Sequence, residues 1–204
     1  MSKWKWFLFL VGCFLIFLGG CSAMLGQLSS IGSFPEVEKQ SPYIGIVKVE
    51  GPIYSALAVL DQFKNLNTDS NLKGILLRID SPGGAVGASQ EIFRGVQRLV
   101  EDSIPVVVSC GNLAASGGLY SYLAASKVFA NPGTLTGSIG VITQFPEADQ
   151  LLDKVGLSFN TIKTGKHKDT GSPYRKMNTI DRKYIQEMVD QSFEQFKKHI
   201  LANR

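Results

Sequence analysis

Cysteine and histidine are scarce in this chain of 204 residues, which contains three cysteines and two histidines. Cys13 and Cys21 lie in an apolar N-terminal segment, and Cys110 ends a predicted buried strand. This distribution fits neither a disulfide framework nor a zinc site. We expect Cys110 to pack as a small core residue, and we expect neither a metal nor a cofactor.

Motifs for nucleotide phosphates are also missing, because neither GxxxxGK[ST] nor GxGxxG occurs in the required strand-to-helix context. The net charge is only +4, and part of it lies in the N-terminal segment. Such a charge gives little reason to expect a nucleic-acid partner.

The two histidines are poor candidates for the base of a Ser-His-Asp triad. His167 is flanked by lysines, and His199 lies beside Lys197 and Lys198, which predicts a solvated helix face. A hydrolase built from this sequence would more naturally use a lysine as its base.

The N-terminal segment resembles a membrane signal. No charged residue occurs between Lys5 and Glu36, and residues 6–25 supply about the 20 residues that a membrane-spanning helix needs. The sequence LGGC also resembles the lipobox of bacterial lipoproteins, which makes Cys21 a lipidation candidate. Both interpretations stay open. Lysines before the apolar run and acidic residues only after it place the body of the chain outside the cytoplasm.

We divide the chain into three parts. Residues 1–25 form the transmembrane anchor or lipoprotein signal, residues 26–42 form a flexible tether, and residues 43–204 form an α/β domain. The tether is predicted from its serine and glycine content and its two prolines. The domain is predicted from alternating strand and helix patterns: YIGIVKVEG, SALAVLDQFKNL, KGILLRID, AVGASQEIFRGVQRLVED and PVVVSC. This order predicts a parallel sheet or a coil of βα units.

The second half of the domain is predicted to continue with shorter elements. These are the helix LYSYLAAS, the strand KVFA, the glycine-rich NPGTLTGSIGV, the helix EADQLLDKVG, the strand SFNTI and the polar loop KTGKHKDTGSP. A long final helix begins near Thr179. Its apolar stripe predicts core packing or a subunit interface and comprises Ile180, Tyr184, Met188, Phe193, Phe196 and Ile200.

Three turns marked by glycine are candidates for a reactive site. RIDSPGG ends a strand before a helix, where amides of Gly83 and Gly84 can face an anion. AASGG places Ser116 at a helix start, as a nucleophile or simply as an N-cap. GKHKD offers lysines in a loop that could equally be a solvated surface. Each motif alone is ambiguous.

The motifs together resemble the signal peptide peptidase A family, which are serine proteases of the Clp-protease/crotonase-like fold. The resemblance extends from Tyr43 to the C-terminus and rests on DSPGG, AASGGLY, TGSIGV and GKHKD followed by SP. It implies repeated βα units preceded by an N-terminal membrane-anchor helix. It also implies a location at the bacterial inner membrane, with the catalytic domain extracytoplasmic.

The resemblance further implies a role for each site residue. It makes Ser116 the nucleophile, Lys168 the general base, Ser138 a support for the lysine, and Gly84 and Gly117 the donors of the oxyanion hole. Lys168 is preferred to Lys163 and Lys166 from its position after the loop glycine, although Lys166 stands where many relatives have a small residue. A lysine base must be neutral, and partial burial favours that form.

The expected activity is that of a membrane-anchored serine endopeptidase that degrades remnant signal peptides or short apolar peptides through an acyl-enzyme. The resemblance implies homo-oligomers in which neighbouring subunits contribute the serine and the lysine. Family members usually continue past KKHILANR into a further segment, so we expect a truncated or degenerate member or a fragment. Two alternatives remain: an inactive membrane-tethered scaffold, and a related membrane-bound Clp-like protease that cuts a specific membrane partner.

Overall fold

The computed structural model describes residues 41–204. The predicted anchor, the lipidation candidate Cys21 and nearly all of the predicted tether lie outside these residues, so the three predicted parts of the chain stay predictions. Within the described part, no helix combines the length and the apolar character that crossing a bilayer requires.

Strands and helices alternate along the first half of the described chain. The elements in order are β1 (Tyr43–Glu50), α1 (Leu57–Asn67), β2 (Leu72–Ser81), α2 (Val86–Glu101), β3 (Val106–Ala115), α3 (Gly117–Ser121), β4 (Lys127–Phe129), β5 (Leu135–Gly137), α4 (Asp149–Lys154) and α5 (Thr179–Asn203).

All strand pairs of the sheet are parallel, in the order β1-β2-β3-β4, and β5 also pairs with β3. β4 pairs with the first half of β3, and β5 pairs with its last three residues. The predicted parallel α/β sheet is therefore confirmed. The carboxyl end of β3, which leads to Ser116, lies between β2 and β5.

The core lies between the sheet and the helices that cross over it. Alternate residues of β1 and β2 are buried because successive side chains of a strand point to opposite faces. Residues spaced three and four apart on α2 are buried against them, as its amphipathic pattern predicts. The central cluster includes Val47, Val49, Ile75, Leu77, Ile79, Ile92, Val96, Leu99 and Cys110. Cys110 is thus a core residue, as predicted.

The prediction of a strand at SFNTI is wrong for this chain, because residues 158–162 form no ladder and are exposed. A strand needs a neighbour to satisfy its backbone groups, and none lies beside this segment within residues 41–204. Two other boundaries differ. β3 continues through the small residues after PVVVSC, and α3 ends at Ser121 instead of extending through LYSYLAAS.

Candidate active site

Ser116 lies at the sharp turn between β3 and α3, where it is the N-cap residue of the short helix. Its backbone has φ 51° and ψ −121°, a conformation that glycine favours and other residues rarely adopt. The Ser116 N–H donates a hydrogen bond of 2.8 Å to the carbonyl of Gly137, at the end of β5. The turn is therefore held in a strained conformation by its neighbours, as is common for residues at functional sites.

Glycines allow two chain segments to approach each other beside Ser116. A Cβ atom on Gly84 would lie 2.2 Å from the carbonyl oxygen of Ile53. A Cβ atom on Gly117 would lie 2.3 Å from Ser89 Oγ and 3.1 Å from the amide nitrogen of Gly84. Any larger residue at either position would push the segments apart. The glycines of DSPGG and AASGG are therefore required by close backbone contact.

The amides of Gly84 and Gly117 are directed into the space beside the serine. Ile53 donates to the carbonyl of Gly83 and accepts from the N–H of Ala85, so the Gly84 N–H between them points the other way. Gly117 is the first residue of α3 and has no acceptor within its helix. Neither amide donates to another group among residues 41–204. Two unpaired N–H groups near a hydroxyl can stabilise an oxyanion.

A small cavity adjoins Ser116 and the two amides. Its walls are largely apolar, with Val86, Tyr120, Val141 and Phe196 beside the hydroxyl-bearing Ser89 and Ser192. Phe196 and Ser192 belong to α5, so the second half of this helix closes one side of the cavity. Such walls suit a small apolar side chain next to a reacting carbonyl.

The end of α5 is fixed to the region around Ser116 by an aromatic cluster. Tyr120 OH and His199 Nδ1 share a hydrogen bond of 2.6 Å, and the His199 ring stacks on Phe93 with centroids 4.8 Å apart. Phe196 lies 4.6 Å from the Tyr120 ring. Burial lowers the pKa of His199, with a smaller contribution from nearby cations, and burial raises the pKa of Tyr120.

The expectation that His199 lies on a solvated face is therefore wrong. Lys197 and Lys198, which directly precede it, lie on other faces of the helix, whereas His199 follows Phe196 by three residues and shares its face. That spacing was the signal in the sequence that could have placed His199 in the cluster.

Lys168 lies on the exposed loop between α4 and α5, here called the lysine loop and defined as residues 163–175. Its backbone N–H donates to the carbonyl of Gly165 at 3.4 Å. The loop is attached to the beginning of α5, because His167 stacks on Tyr184 with ring centroids 4.3 Å apart and Arg175 pairs with Asp181 at 2.6 Å.

The lysine loop and the cavity beside Ser116 involve different parts of α5. The lysine loop contacts α5 at Asp181 and Tyr184, whereas the cavity beside Ser116 is closed by Ser192. Tyr184 and Ser192 are separated by about two helical turns, or about 12 Å. No hydrogen bond joins Lys168 to Ser116 within the described residues.

Ser138 lies close to Ser116, next to the strand end that binds its amide. It directly follows Gly137, whose carbonyl binds the Ser116 amide, and it has a φ of 52°. Its side chain is exposed and makes no hydrogen bond among residues 41–204. The structure thus brings Ser116, Gly84, Gly117 and Ser138 to one end of the sheet, and Lys168 is not among the residues that line the cavity beside Ser116.

The sheet of parallel strands with crossover helices is a fold of the Clp-protease class. A family model described as Clp protease matches residues 43–136. A second, described as Peptidase family S49, matches residues 98–204, just over half of the chain. The chain belongs to peptidase family S49, and the resemblance to signal peptide peptidase A proteins is confirmed.

Several curated proteins are similar to this chain. It is 41% identical over 163 residues to "Putative protease slr0021" of Synechocystis sp., a match that covers 79% of this chain and 58% of the relative. It is 36% identical over 151 residues to "Putative signal peptide peptidase SppA" of Enterococcus faecium, covering 74% and 44%. It is 34% identical over 173 residues to "Putative protease MJ0651" of Methanocaldococcus jannaschii, covering 85% and 50%. The chain thus spans about half the length of these relatives.

Proposed function

We propose that this chain carries the active site of a membrane-anchored serine endopeptidase that degrades remnant signal peptides or other short apolar peptides. The observation that carries the proposal is the position of Ser116 on a strained turn, beside the unpaired amides of Gly84 and Gly117. The apolar walls of the adjoining cavity support an apolar side chain in the substrate.

The proposed reaction begins with attack of Ser116 Oγ on the scissile carbonyl carbon, while neutral Lys168 Nζ accepts the hydroxyl proton. The oxyanion that forms accepts hydrogen bonds from the amides of Gly84 and Gly117. When the tetrahedral intermediate collapses, the lysine ammonium returns the proton to the leaving amine and an acyl-enzyme remains. Water then attacks the ester, with Lys168 again accepting the proton.

In this proposal Lys168 reaches the serine of a neighbouring subunit in a homo-oligomer. Two observations support this arrangement: the lysine loop is attached to the beginning of α5 whereas the second half of α5 lines the cavity beside Ser116, and the lysine itself is exposed. The region around the lysine loop also exposes many large apolar side chains that a neighbour could cover: Ile142, Leu151, Val155, Leu157, Phe159, Ile162, Tyr184 and Met188. Ser138 would then hold the incoming amine.

The proposed location is the bacterial inner membrane, with residues 43–204 on the extracytoplasmic side. The anchor is residues 6–25 as a retained helix, or a lipid on Cys21. Membrane fractionation tests either form, and metabolic lipid labelling that disappears in Cys21→Ala would favour the lipoprotein form. Recovery of the full-length chain in the soluble fraction would contradict both.

A fluorophosphonate probe tests the enzymatic proposal directly, because it reacts with an activated serine. We expect labelling at Ser116 together with cleavage of apolar peptides. Labelling without cleavage of such peptides would favour a Clp-like protease for a specific membrane partner. A folded oligomer that is not labelled would favour the inactive scaffold.

A further inference from the structure

The residue that follows Lys168 is an aspartate, and its carboxylate is turned toward other partners. Arg175 binds the Asp169 carboxylate through two hydrogen bonds, Nε to Oδ2 at 2.8 Å and Nη2 to Oδ1 at 3.0 Å, and its Nη2 also donates to the Asp169 backbone carbonyl at 3.2 Å. Lys163 Nζ also pairs with Asp169 Oδ1. The Asp169 side chain is only 13% exposed. Both carboxylate oxygens are therefore occupied by cations other than Lys168.

Arg175 also joins the lysine loop to the first turn of α5. Its Nη1 donates to Asp181 Oδ2 at 2.6 Å, and Asp181 is buried. Asp181 accepts a further hydrogen bond from Thr170 Oγ1 at 2.8 Å, and its backbone N–H donates to the N-cap side chain of Asn178. One guanidinium thus bridges two carboxylates, a geometry that suits the planar fork of arginine and that a lysine cannot reproduce.

We propose that Arg175 is a positioning residue that keeps the Asp169 carboxylate away from the Lys168 amine, so that Lys168 can lose its proton and act as the base. The inference rests on the proposed function. A carboxylate within about 4–6 Å of an amine favours the ammonium form and raises its pKa. Arg175 opposes this interaction by binding both oxygens of the Asp169 carboxylate.

Other ionisable groups surround the loop and contribute to the field at Lys168. They are Lys163, Lys166, His167, Asp169 and Arg175 on the loop, Asp181 and Tyr184 on α5, and Glu147 on the segment that packs against the loop before α4. Asp169 and Asp181 both have pKa values held below the ordinary range by Arg175. Both carboxylates therefore stay ionised near neutral pH, and Asp169 is the one adjacent to the base.

The test measures kcat for apolar-peptide cleavage as a function of pH, in the full chain, and compares the wild type with its variants. Arg175→Gln should move the acidic limb of the profile to higher pH by about one unit or more, because Lys163 then holds only Oδ1 of Asp169 and the released Oδ2 can stabilise the ammonium form. Below the limb, this shift lowers kcat about tenfold at each pH. The double variant Asp169→Asn with Arg175→Gln should return the limb to its wild-type position.

Lys176→Gln is the matched control, because it removes the same charge from the next residue, whose exposed side chain makes no ion pair among residues 41–204. Its profile should equal that of the wild type. A structural role for Arg175 alone would lower kcat equally at every pH in both Arg175→Gln and the double variant. That outcome, or an unshifted limb in Arg175→Gln, overturns the inference.

Lys168→Ala, measured in the same series, separates this inference from the proposed function. If Lys168→Ala keeps wild-type activity, the proposed base is wrong and the inference is overturned with it. If Lys168→Ala is inactive and Arg175→Gln keeps the wild-type limb, the proposed function survives and only the role of Arg175 is rejected.

Discussion

The turn that carries Ser116 and the loop that carries Lys168 are built by different interactions. Around Ser116, the chain is held by backbone hydrogen bonds and by glycine contacts so close that a single methyl group would clash. Around Lys168, an exposed loop is held to α5 by side-chain ion pairs and one ring stack. Ser116 therefore lies on a closely packed turn beside the amides of Gly84 and Gly117, whereas Lys168 lies on an exposed loop, and the proposed site joins the two across subunits.

The comparison implies different sensitivities in the two regions. Close backbone packing tolerates almost no change in side-chain volume, but it depends little on pH or salt. Ion pairs near the surface weaken with salt and fail when their carboxylates are protonated. Mutations near Ser116 should therefore act through geometry, and mutations near Lys168 should act through charge.

Replacement of the serine should have the largest effect. Ser116→Ala should abolish probe labelling and peptide cleavage, because the attacking oxygen is removed. Ser116→Gly should be equally inactive and should be more stable than Ser116→Ala by about 1 kcal/mol, since glycine relieves the strained conformation. Denaturant unfolding of both variants measures the difference. A glycine variant less stable than the alanine variant would show that the turn is not strained.

Loss of the lysine should have the next largest effect. Lys168→Ala should lower kcat at least about 100-fold, the usual contribution of a general base, with a change in stability within about 0.5 kcal/mol. Lys166→Ala is the matched control two residues earlier on the same loop, and it should change kcat little. If kcat fell equally in the two variants, the loop would contribute only its overall positive charge, and neither lysine would act as the base.

A methyl group on Gly117 tests the oxyanion hole. Gly117→Ala should reduce probe labelling on the order of 100-fold and should also destabilise the fold, because the methyl meets Ser89 Oγ and approaches the Gly84 amide. Adding Ser89→Ala removes the hydroxyl and should recover much of the stability. Labelling should stay low in the double variant, since the methyl still lies beside the Gly84 amide. Recovery of labelling together with stability would contradict the assignment of these amides.

The smallest effect should come from titration of His199. Its pKa is lowered by burial, so the unfolded chain binds a proton before the folded one as the pH falls. The stabilising contribution of neutral His199 to the free energy of unfolding is fully present above the ordinary histidine pKa of about 6.5, and it decreases as the pH falls below that value. His199→Gln should flatten the fall in melting temperature between about pH 6.5 and 5. An unchanged slope would assign that pH dependence to other groups.

The sequence was sufficient to predict the regions whose structure is set locally. β1, β2, β3 and α2 follow from apolar periodicity, because one face of each is buried in the same core. Ser116, Gly84 and Gly117 could be selected because DSPGG and AASGGLY occur with TGSIGV and GKHKD, a combination that resembles one family although each motif alone is ambiguous. The close approach of Gly84 to Ile53 gives the physical reason for that motif.

Other features could not be predicted because they depend on distant partners. The packing of His199 requires Phe93 and Tyr120, which are separated from it by most of the domain in sequence. The pattern SFNTI has strand character, but a strand forms only where a neighbouring strand is available. The sequence places Lys168 next to Asp169, and only the structure shows that Arg175 binds that carboxylate.

The central claim is that a complete site combines Ser116 of one subunit with Lys168 of another. Mixing equal amounts of Ser116→Ala and Lys168→Ala chains, under conditions in which subunits exchange, tests this claim directly. If each site takes its serine and its lysine from different chains, random assembly leaves about a quarter of the sites intact, and the mixture should recover about a quarter of wild-type activity. A mixture that exchanges subunits and stays as inactive as either variant alone would contradict the account.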